Sequence, residues 1–471
     1  MHITAKQSIK RLVLLVLTLA VILSSLSSCF LIPNKYVATG KDEIRENIAV
    51  SLADGEKNHG AVNEYLVSWG VPTFDRIKFS YFESIVVAYY NYEDAPETEA
   101  HAAALTEKFL VEYYDGLNLS DKAAVTDALL ECYAATLGDP YAVYRVAEAT
   151  ESYDTDMSGK FGGIGVLIEY DHQKETLMVS QVYPNSPAEK AGVKVGDFIV
   201  GVDGKRVSEI GYLHAVDHVR GKIGTTVSIT LLRGDREIEV SAVRGEVEEI
   251  NVSYQSLDID GLKLGYVQIN SFKDNTFEQF KEAIDSLEAE GVAGIIFDMR
   301  NNLGGYVYSA ADIISYMIPS GHKIVSYQYK NSLPTEFHSK DDGGKDHTIG
   351  VPIVVITNEY TASAAEIFTS AVRDFRDEGL LNARIVGTTT FKKGIVQGTL
   401  KYPVDNSTLT LTVSRYYPPS GVNFHGVGVA PDREVLLPEP VFDEATGKYL
   451  PVHDTQLDAA LEEMKLLINV N

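Results

Sequence analysis

The chain has 471 residues, of which 45% are hydrophobic and 23% are charged, the usual balance for a soluble globular protein. At roughly 100–200 residues per domain, this length predicts about three domains. The 66 acidic residues outnumber the 41 basic residues and give a net charge of −25. This charge argues against a nucleic-acid partner, because phosphate binding needs clustered lysine and arginine. The two cysteines are too few for a disulfide framework or a cysteine-rich metal site.

The first 28 residues have the pattern of a secretion signal. Basic residues precede an apolar run over residues 12–23, which is shorter than the roughly 20 residues of a membrane span. The string Leu26-Ser27-Ser28-Cys29 follows and resembles a bacterial lipobox, in which the cysteine is acylated and becomes the mature N-terminus. The resemblance implies a lipoprotein signal peptide over residues 1–28 and a lipid anchor on Cys29, at the extracytoplasmic face of a bacterial membrane. The alternative is an ordinary signal peptide with an incidental cysteine.

Residues 29–150 are predicted to form an N-terminal helical region. Residues 81–92 and 98–114 carry apolar side chains at helical spacing. Cys132 lies in an apolar stretch, which favours a buried structural thiol over a reactive one. Residues 137–141 then predict a turn, and the acidic, polar residues 151–159 predict a linker.

Residues 155–245 have the pattern of a small β-rich domain. A glycine loop at residues 162–165 runs into a strand, a capped short helix is predicted at 186–192, and a strand with an Asp-Gly turn covers 195–204. A helix at 213–220 and strands at 226–232 and 237–243 complete the domain. This order resembles a circularly permuted PDZ domain of the kind found in bacterial proteases.

A PDZ domain binds a peptide C-terminus by strand addition beside a helix, and its glycine-loop amides hold the terminal carboxylate. The resemblance therefore implies that Gly163, Ile164 and Gly165 form the carboxylate-binding loop. It also implies that Leu213 and Val216 face the peptide from the helix. The alternative is a β-rich module that binds no ligand.

Residues 246–436 alternate strands and helices. Strands are predicted at 264–269, 294–298, 352–357 and 384–387, and helices at 276–290 and 364–375. This pattern predicts an α/β layered domain whose sites gather at the carboxyl ends of the strands. Residues 437–471 are predicted to be a C-terminal tail with a helix. The fold class is thus a mixed α+β and α/β multidomain protein.

Few residues in this part of the chain suggest catalysis by themselves. The chain lacks Gly-x-Ser-x-Gly, His-Glu-x-x-His and phosphate-loop motifs, and its histidines are scattered. His425 is the best stray histidine, although a turn explains it better. Ser363 lies between a strand and a helix, where main-chain amides can stabilise an oxyanion. Ser363 and Glu366 also form a capping-box pattern, which the local sequence alone favours.

Lys392 and Lys393 lie together in the otherwise uncharged segment 387–398. A lysine acts as a general base only when it is neutral, so its pKa of about 10.4 must be lowered by desolvation. Uncharged surroundings provide that condition. The alternative is that both lysines are solvated turn residues.

Several motifs, in the same order, resemble those of the carboxyl-terminal processing, or tail-specific, serine peptidase family. The motifs occupy residues 137–141, 265–272, 297–305, 361–366, 393–397 and 426–432. The resemblance covers most of the chain after residue 130. It implies a peptidase core over residues 246–436 with the PDZ domain inserted before it.

The resemblance implies a serine endopeptidase that uses a Ser/Lys dyad and neither a metal nor a cofactor. Ser363 would be the nucleophile, Lys393 the general base, and Gln397 the residue that orients the lysine. Main-chain amides would form the oxyanion hole, namely that of Ala364 and one from Gly304 or Gly305.

Three features depart from the family pattern. Ser363 and Lys393 are further apart than is usual, and residues 375–382 are the expected place for an insertion. Tyr360 and Lys392 each replace a usual glycine. If residues 391–396 are extended, adjacent side chains point to opposite faces, so one lysine alone can reach Ser363. The motif selects Lys393.

We expect the partners to be protein or peptide substrates with free C-termini and a membrane to which the lipid anchor attaches the protein. The oligomeric state stays open. One alternative is a catalytically degenerate protein that serves as a PDZ scaffold or binding protein. A hydrolase of non-protein substrates is another alternative, in which the tail-binding PDZ domain would have no role.

Overall fold

A computed structural model describes residues 40–54, 61–92, 96–171, 176–330, 332–340, 347–439, 442–443, 448–449 and 452–469. Cys29 and the predicted signal peptide lie outside these residues. The chain divides into two compact units. Unit 1 consists of Met1–Ser152, Ser326–Glu336 and Gly394–Tyr417, and unit 2 consists of Tyr153–Val325, Phe337–Lys393 and Pro418–Asn471. The domain boundaries expected from the sequence stay predictions.

The N-terminal part of unit 1 is helical, as predicted. Its helices are Lys41–Asp54, Val62–Ser68, Arg76–Tyr89, Thr98–Glu112 and Lys122–Ala135. Asp75 and Asp121 cap two of them, because each carboxylate accepts two main-chain N–H groups of the first turn. Cys132 is fully buried among these helices, and burial raises the pKa of its thiol to about 12. The thiol is therefore the inert structural group that the sequence predicts.

Unit 1 also contains a three-stranded antiparallel sheet. The strands Val143–Arg145, Thr408–Arg415 and Ile395–Lys401 form it, with Thr408–Arg415 in the middle. Lys78 is buried and pairs with both Asp127 and Asp405 at 2.7 Å. These two ion pairs connect the helices to the loop between the two longer strands.

The predicted linker at residues 151–159 is mostly wrong, because the helix Ala147–Met157 continues through it. The acidic side chains that indicated a linker lie mainly on an exposed helix face. One of them, Asp156, pairs with the buried Lys273 at 3.1 Å. The turn that ends this helix contains Gly159, whose φ of 67° favours glycine.

The next part of unit 2 has the elements predicted for the PDZ-like domain. One sheet contains the strands Val166–Asp171, Thr176–Val182, Phe198–Val202, Thr226–Arg233 and Arg236–Val243, in that order, with Lys205–Arg206 beside the third. The helices are Pro187–Lys190, Val207–Ile210 and Tyr212–Val219. A separate antiparallel pair, Lys160–Gly163 with Gly245–Glu248, joins the two ends of the domain.

The peptidase-like part of unit 2 is built on a second sheet. Its strands, in order, are Val252–Ile259, Leu262–Ile269, Ile295–Asp298, Ile353–Thr357, Ala383–Gly387 and Arg433–Glu434. The first pair is antiparallel and the others are parallel. The helices are Thr276–Ala289, Val307–Met317, Ala364–Asp377 and Thr455–Asn469. This arrangement is the α/β layered core that the alternating pattern predicts.

Apolar contacts cover the sheet of the peptidase-like part. Ala460 and Met464 of the last helix pack with Leu264, Ile296 and Val354 of the strands. A second group consists of aromatic side chains. The ring centroid of Phe297 lies 5.7 Å from that of Phe280 and 5.6 Å from that of Phe368. The central strands are therefore fully buried, which fixes the positions of the loops at their carboxyl ends.

The described residues include four further short strands: Lys323–Tyr327, Thr335–His338, Phe442–Asp443 and Lys448–Tyr449. In the described parts of the chain, we find no helix with the length and apolar content required to span a membrane.

Candidate active site

Three loops follow the carboxyl ends of three neighbouring parallel strands. Residues 299–305 follow Ile295–Asp298, residues 358–363 follow Ile353–Thr357, and residues 388–393 follow Ala383–Gly387. Parallel pairing places these strand ends at one edge of the sheet. The edge therefore brings together Gly304, Ser363 and Lys393, which are far apart in sequence.

Ser363 immediately precedes the helix Ala364–Asp377 and has an unusual backbone conformation. Its φ and ψ are 57° and −115°, a region that non-glycine residues seldom adopt. Such strain costs on the order of 1–3 kcal/mol and persists where the surroundings enforce it. The residue is 7% exposed, so its hydroxyl belongs to a largely enclosed site at the positive end of the helix.

Ser363 and Glu366 form the capping box that the local sequence favours. The Oε2 atom of Glu366 accepts a hydrogen bond from Ser363 N at 2.9 Å, which is the carboxylate half of a capping box. The amide of Glu366 donates to the main-chain oxygen of Ser363 at 2.9 Å. The start of the helix therefore has acceptors other than the serine hydroxyl.

The same carboxylate also connects the serine loop to the lysine loop. Glu366 Oε2 accepts a hydrogen bond from Lys393 N at 2.7 Å, so the amides of Ser363 and Lys393 share one oxygen atom. Glu366 Oε1 accepts from Lys392 N at 2.7 Å and from Thr390 Oγ1 at 2.6 Å. The side chain is fully buried, and burial raises the pKa of this carboxyl group. We call this set of four hydrogen bonds the Glu366 clamp.

The two neighbouring lysines differ in backbone and exposure. Lys392 has a φ of 82° and an exposed side chain, whereas Lys393 is half-buried. Residues 391–394 are not part of a regular extended strand, because the strand begins only at Ile395. The left-handed φ of Lys392 explains why glycine is usual at this position in the family the sequence resembles.

Gly304 lies directly against Ser363. A Cβ atom at Gly304 would be 2.8 Å from both Ser363 Cβ and Ala364 N, and the φ of Gly304 is 100°. Contact at that distance leaves no room for a side chain. Both the close approach and the backbone conformation therefore require glycine here.

Hydrogen bonds fix the turn that contains Gly304. Its amide donates to Asn302 Oδ1 at 2.9 Å, and its oxygen accepts from Phe272 N at 3.0 Å. Within the described residues, the amides of Ala364 and Gly305 donate to no other group. Of the two glycine amides considered for an oxyanion hole, Gly305 is therefore the one available to a ligand.

Gln397 lies on the strand Ile395–Lys401 of unit 1, whereas Ser363 and Lys393 belong to unit 2. The strand register shifts between Val396 and Gln397. In the described residues, the buried Gln397 Nε2 atom has no hydrogen-bond partner.

His425 lies in a turn, as expected. No group of three or more His, Cys, Asp or Glu side chains among the described residues could hold a metal ion.

The residues expected to bind a peptide tail surround one edge of the PDZ-like sheet. The edge strand Val166–Asp171 pairs with Thr176–Val182, and Tyr170 on this strand lies 4.5 Å from Tyr212 of the helix between ring centroids. Leu213 is exposed on that helix, and Val216 packs partly against the domain core. The strand and the helix are thus neighbours at this edge of the sheet.

The glycine loop precedes this edge strand. Gly163 ends the strand Lys160–Gly163, and the Ile164 side chain is buried in the core. Gly165 has a φ of 76°, and a Cβ there would be 2.5 Å from Ser186 Cβ. In the described residues the amides of Ile164 and Gly165 donate to no other group. They are available for an anion.

Sequence reasoning missed the polar residues that hold the loops in place. Glu366 appeared only as a capping residue, and Asn302 and Asn358 were not considered. Asn358 Oδ1 accepts from Asn301 N at 3.0 Å and from Tyr360 N at 3.1 Å, so it joins the glycine and serine loops. The residue types and positions of Glu366, Asn302 and Asn358 were visible in the motifs, but their hydrogen-bond partners on the other loops are remote in sequence.

Comparison with known proteins agrees with this geometry. The family model described as peptidase family S41 matches residues 263–435, and a PDZ domain model matches residues 178–233. The carboxy-terminal processing protease CtpA of Bacillus subtilis is 34% identical over 334 residues, which cover 71% of this chain and 68% of that protein. The chain belongs to peptidase family S41. The predicted family, the PDZ domain and the peptidase core are thereby confirmed.

Two further proteins are similar to this S41 member. A probable CtpA-like serine protease of Staphylococcus haemolyticus is 34% identical over 328 residues, which span 70% of this chain and 63% of that relative. The solved photosystem II D1 C-terminal processing protease is 26% identical and has a TM-score of 0.43. The alignment covers 75% of this chain and 90% of that structure.

Removing the Glu366 clamp is expected to harm both stability and activity of this S41 protein. Glu366→Ala would leave four donors without their acceptor, a loss of about 3 kcal/mol. We expect Tm to fall by about 5–10 °C, and peptide hydrolysis to fall at least tenfold. Glu366→Gln, which retains one acceptor oxygen, should lie between the two proteins in thermal unfolding and in kcat/KM. Equal Tm and kcat/KM in all three proteins would contradict the clamp.

The clamp also predicts a pH dependence. Burial raises the pKa of Glu366, so this carboxylate takes up a proton at a higher pH than an exposed glutamate does. Protonation removes acceptor capacity for the Lys393 and Ser363 amides. Activity should therefore fall as the pH is lowered, beginning at a higher pH than that at which an exposed glutamate takes up a proton. The profile of Glu366→Gln should lack the part of this fall that belongs to Glu366.

Proposed function

We propose that the protein is a serine endopeptidase with a Ser363–Lys393 dyad, which captures protein tails through its PDZ domain and cleaves them. The observation that carries this proposal is the shared Glu366 Oε2 atom, which accepts from the amides of both Ser363 and Lys393. Gly304 lies against the same serine, and free amides of Ala364 and Gly305 are on the neighbouring chain segments. These groups supply a nucleophile, a base and an anion site.

In the proposed reaction, neutral Lys393 accepts the proton of the Ser363 hydroxyl while Oγ forms a bond to the substrate carbonyl carbon. The carbonyl oxygen becomes an oxyanion that accepts hydrogen bonds from the amides of Ala364 and Gly305. The peptide C–N bond then breaks, and the leaving amine takes the proton from Lys393. Lys393 then accepts a proton from water while the water oxygen forms a bond to the acyl carbon. The bond between that carbon and Ser363 Oγ breaks, and Lys393 returns the proton to Oγ.

The backbone of Ser363 supports this role. A φ of 57° immediately before a helix places the residue at a sharp turn between strand and helix. A serine at such a turn presents its hydroxyl where the helix-start amides favour negative charge. The Glu366 clamp would hold the lysine loop beside it.

Hydrolysis of long unstructured peptides tests this proposal. Purified protein should release N-terminal fragments that mass spectrometry identifies, and Ser363→Ala should abolish their release. Ser208→Ala is the matched control, because Ser208 is exposed in the PDZ domain and should be dispensable. Cleavage that survives Ser363→Ala would refute the assignment, and a folded protein without any cleavage would favour the scaffold alternative.

Terminal-carboxylate capture by the PDZ domain makes a separate prediction. The amides of Ile164 and Gly165 would bind the carboxylate, with Leu213 and Val216 contacting the apolar side chains of the tail. Amidation of a long substrate's C-terminus should therefore weaken its binding at least tenfold, as measured by fluorescence anisotropy. Equal binding of the free-acid and amidated peptides would exclude carboxylate recognition.

We further propose that Cys29 carries a lipid anchor, which places the protein on the extracytoplasmic face of a bacterial membrane. Two acyl chains and an amide-linked third would bind a bilayer far more firmly than one chain does. Cys29→Ser should therefore move the protein from the membrane fraction to the soluble fraction, or stall its processing. Fully processed, membrane-bound Cys29→Ser protein would refute the lipobox.

A further inference from the structure

Four large apolar side chains are exposed on the loops that form the candidate active site. They are Leu303, Tyr360, Phe391 and Val427, with exposed fractions of 68%, 52%, 46% and 71%. Three of them are close in sequence to a proposed functional group: Leu303 precedes Gly304, Tyr360 is three residues before Ser363, and Phe391 is two residues before Lys393. We call these four side chains the apolar rim.

Hydrogen bonds join the loops that carry the apolar rim. Asn358 Oδ1 accepts from the amides of Asn301 and Tyr360, which connects the loops of Leu303 and Tyr360. Phe391 N donates to Thr361 O at 2.9 Å, which places Phe391 beside the serine loop. These bonds hold the three segments that carry Leu303, Tyr360 and Phe391 against one another next to the serine loop.

The fourth loop is joined to the lysine loop. Gly426 N donates to Lys392 O at 3.0 Å, and Val429 N donates to Thr390 Oγ1 at 2.8 Å. Val427 therefore lies on a loop held directly against the segment that carries Phe391 and Lys393. All four residues belong to unit 2.

Single exposed apolar side chains are common on protein surfaces, but a group of them around one site marks a surface that binds apolar groups. Here the group surrounds the proposed nucleophile, so its occupant is the part of the substrate next to the bond that is cut. We propose that the apolar rim binds apolar side chains of an extended polypeptide beside the scissile bond. This inference rests on the proposed peptidase function and adds a substrate preference at the cleavage point itself.

The physical basis of the preference is desolvation. An apolar substrate side chain loses unfavourable contact with water when it covers the rim, whereas a charged one must give up hydration without a partner. One side-chain group in an apolar subsite changes discrimination by about tenfold or more. The protein should therefore cut long tails at apolar positions and disfavour acidic positions.

A binding experiment in the Ser363→Ala background tests the rim without relying on chemistry. Two amidated peptides of equal length carry either leucines or aspartates at their central positions, and amidation removes the carboxylate that the PDZ domain would bind. We expect the leucine peptide to bind at least tenfold more tightly by fluorescence anisotropy. Tyr360→Gly and Phe391→Ser should each weaken leucine-peptide binding severalfold to tenfold.

Val195→Ser is the matched control, because Val195 is equally exposed but lies in the PDZ domain. Circular dichroism should show that all variants are folded. Equal affinity for the two peptides, or equal affinity of rim and control variants, would overturn the inference. Cleavage of the two peptides by the protein with Ser363 intact is measured in parallel. Absence of cleavage would contradict the peptidase proposal, whereas the binding data alone decide whether the rim prefers apolar side chains.

Discussion

Replacing Lys393 by alanine is expected to lower kcat/KM for peptide hydrolysis by about 10²–10⁴-fold, the usual loss when a general base is removed. The expectation follows from the position of the lysine. Its amide shares Glu366 Oε2 with the amide of Ser363, and its side chain is half-buried.

Lys392 provides the matched control for this experiment. Its side chain is exposed, and its φ of 82° suits glycine. Lys392→Gly should therefore keep most of the activity while relieving backbone strain, and Lys392→Ala should keep most of it with the strain retained. Loss of turnover in the Lys392 variants and not in Lys393→Ala would mean that the wrong neighbour was assigned. Full activity in every variant would exclude a lysine base.

The second large effect is expected at Gly304. A methyl group at this position would be 2.7 Å from Ala362 O and 2.8 Å from both Ser363 Cβ and Ala364 N. Gly304→Ala must therefore displace either the serine or the glycine turn, which moves the amides proposed for the oxyanion. Loss of one oxyanion donor costs about 10²–10³ in kcat, and we expect at least that from peptide-hydrolysis assays.

Gly291→Ala separates this steric effect from the strain of a positive φ. Gly291 has a φ of 71°, and a Cβ there would meet nothing within 4 Å. Its replacement should cost about 1 kcal/mol of backbone strain and leave kcat unchanged. Equal kcat in Gly304→Ala and Gly291→Ala would contradict the close packing of Gly304 on Ser363.

Much of the fold followed from local patterns in the sequence. The parallel strand Ile353–Thr357 is uniformly buried and begins with four apolar residues, and the helix after it begins at the predicted residue, Ala364. The Asp203–Gly204 turn was predictable because both residues tolerate positive φ, as they show here at 47° and 77°. The helix Ala147–Met157 was missed because few of its side chains are buried, so no apolar period marks it.

The residues of the candidate site were suggested by family motifs, whereas their arrangement required the fold. Hydrogen bonds that join Glu366 to the lysine loop span 24–27 residues, and no local pattern reveals them. The positive φ of Ser363, which lies against Gly304 and the Glu366 carboxylate, is likewise not marked by any local pattern. Sequence reasoning could name the serine as a cap or a nucleophile, but it could not see that Glu366 serves both loops.

Labelling with a fluorophosphonate probe tests the activated serine most directly. The probe phosphonylates a serine only when a base increases its nucleophilicity, and mass spectrometry then locates the modified residue. The account predicts a single modified residue, Ser363, and a labelling rate that falls by at least 10²-fold in Lys393→Ala but stays close to normal in Lys392→Gly. A folded protein that remains unlabelled at Ser363, or that is labelled equally fast without Lys393, would contradict the account.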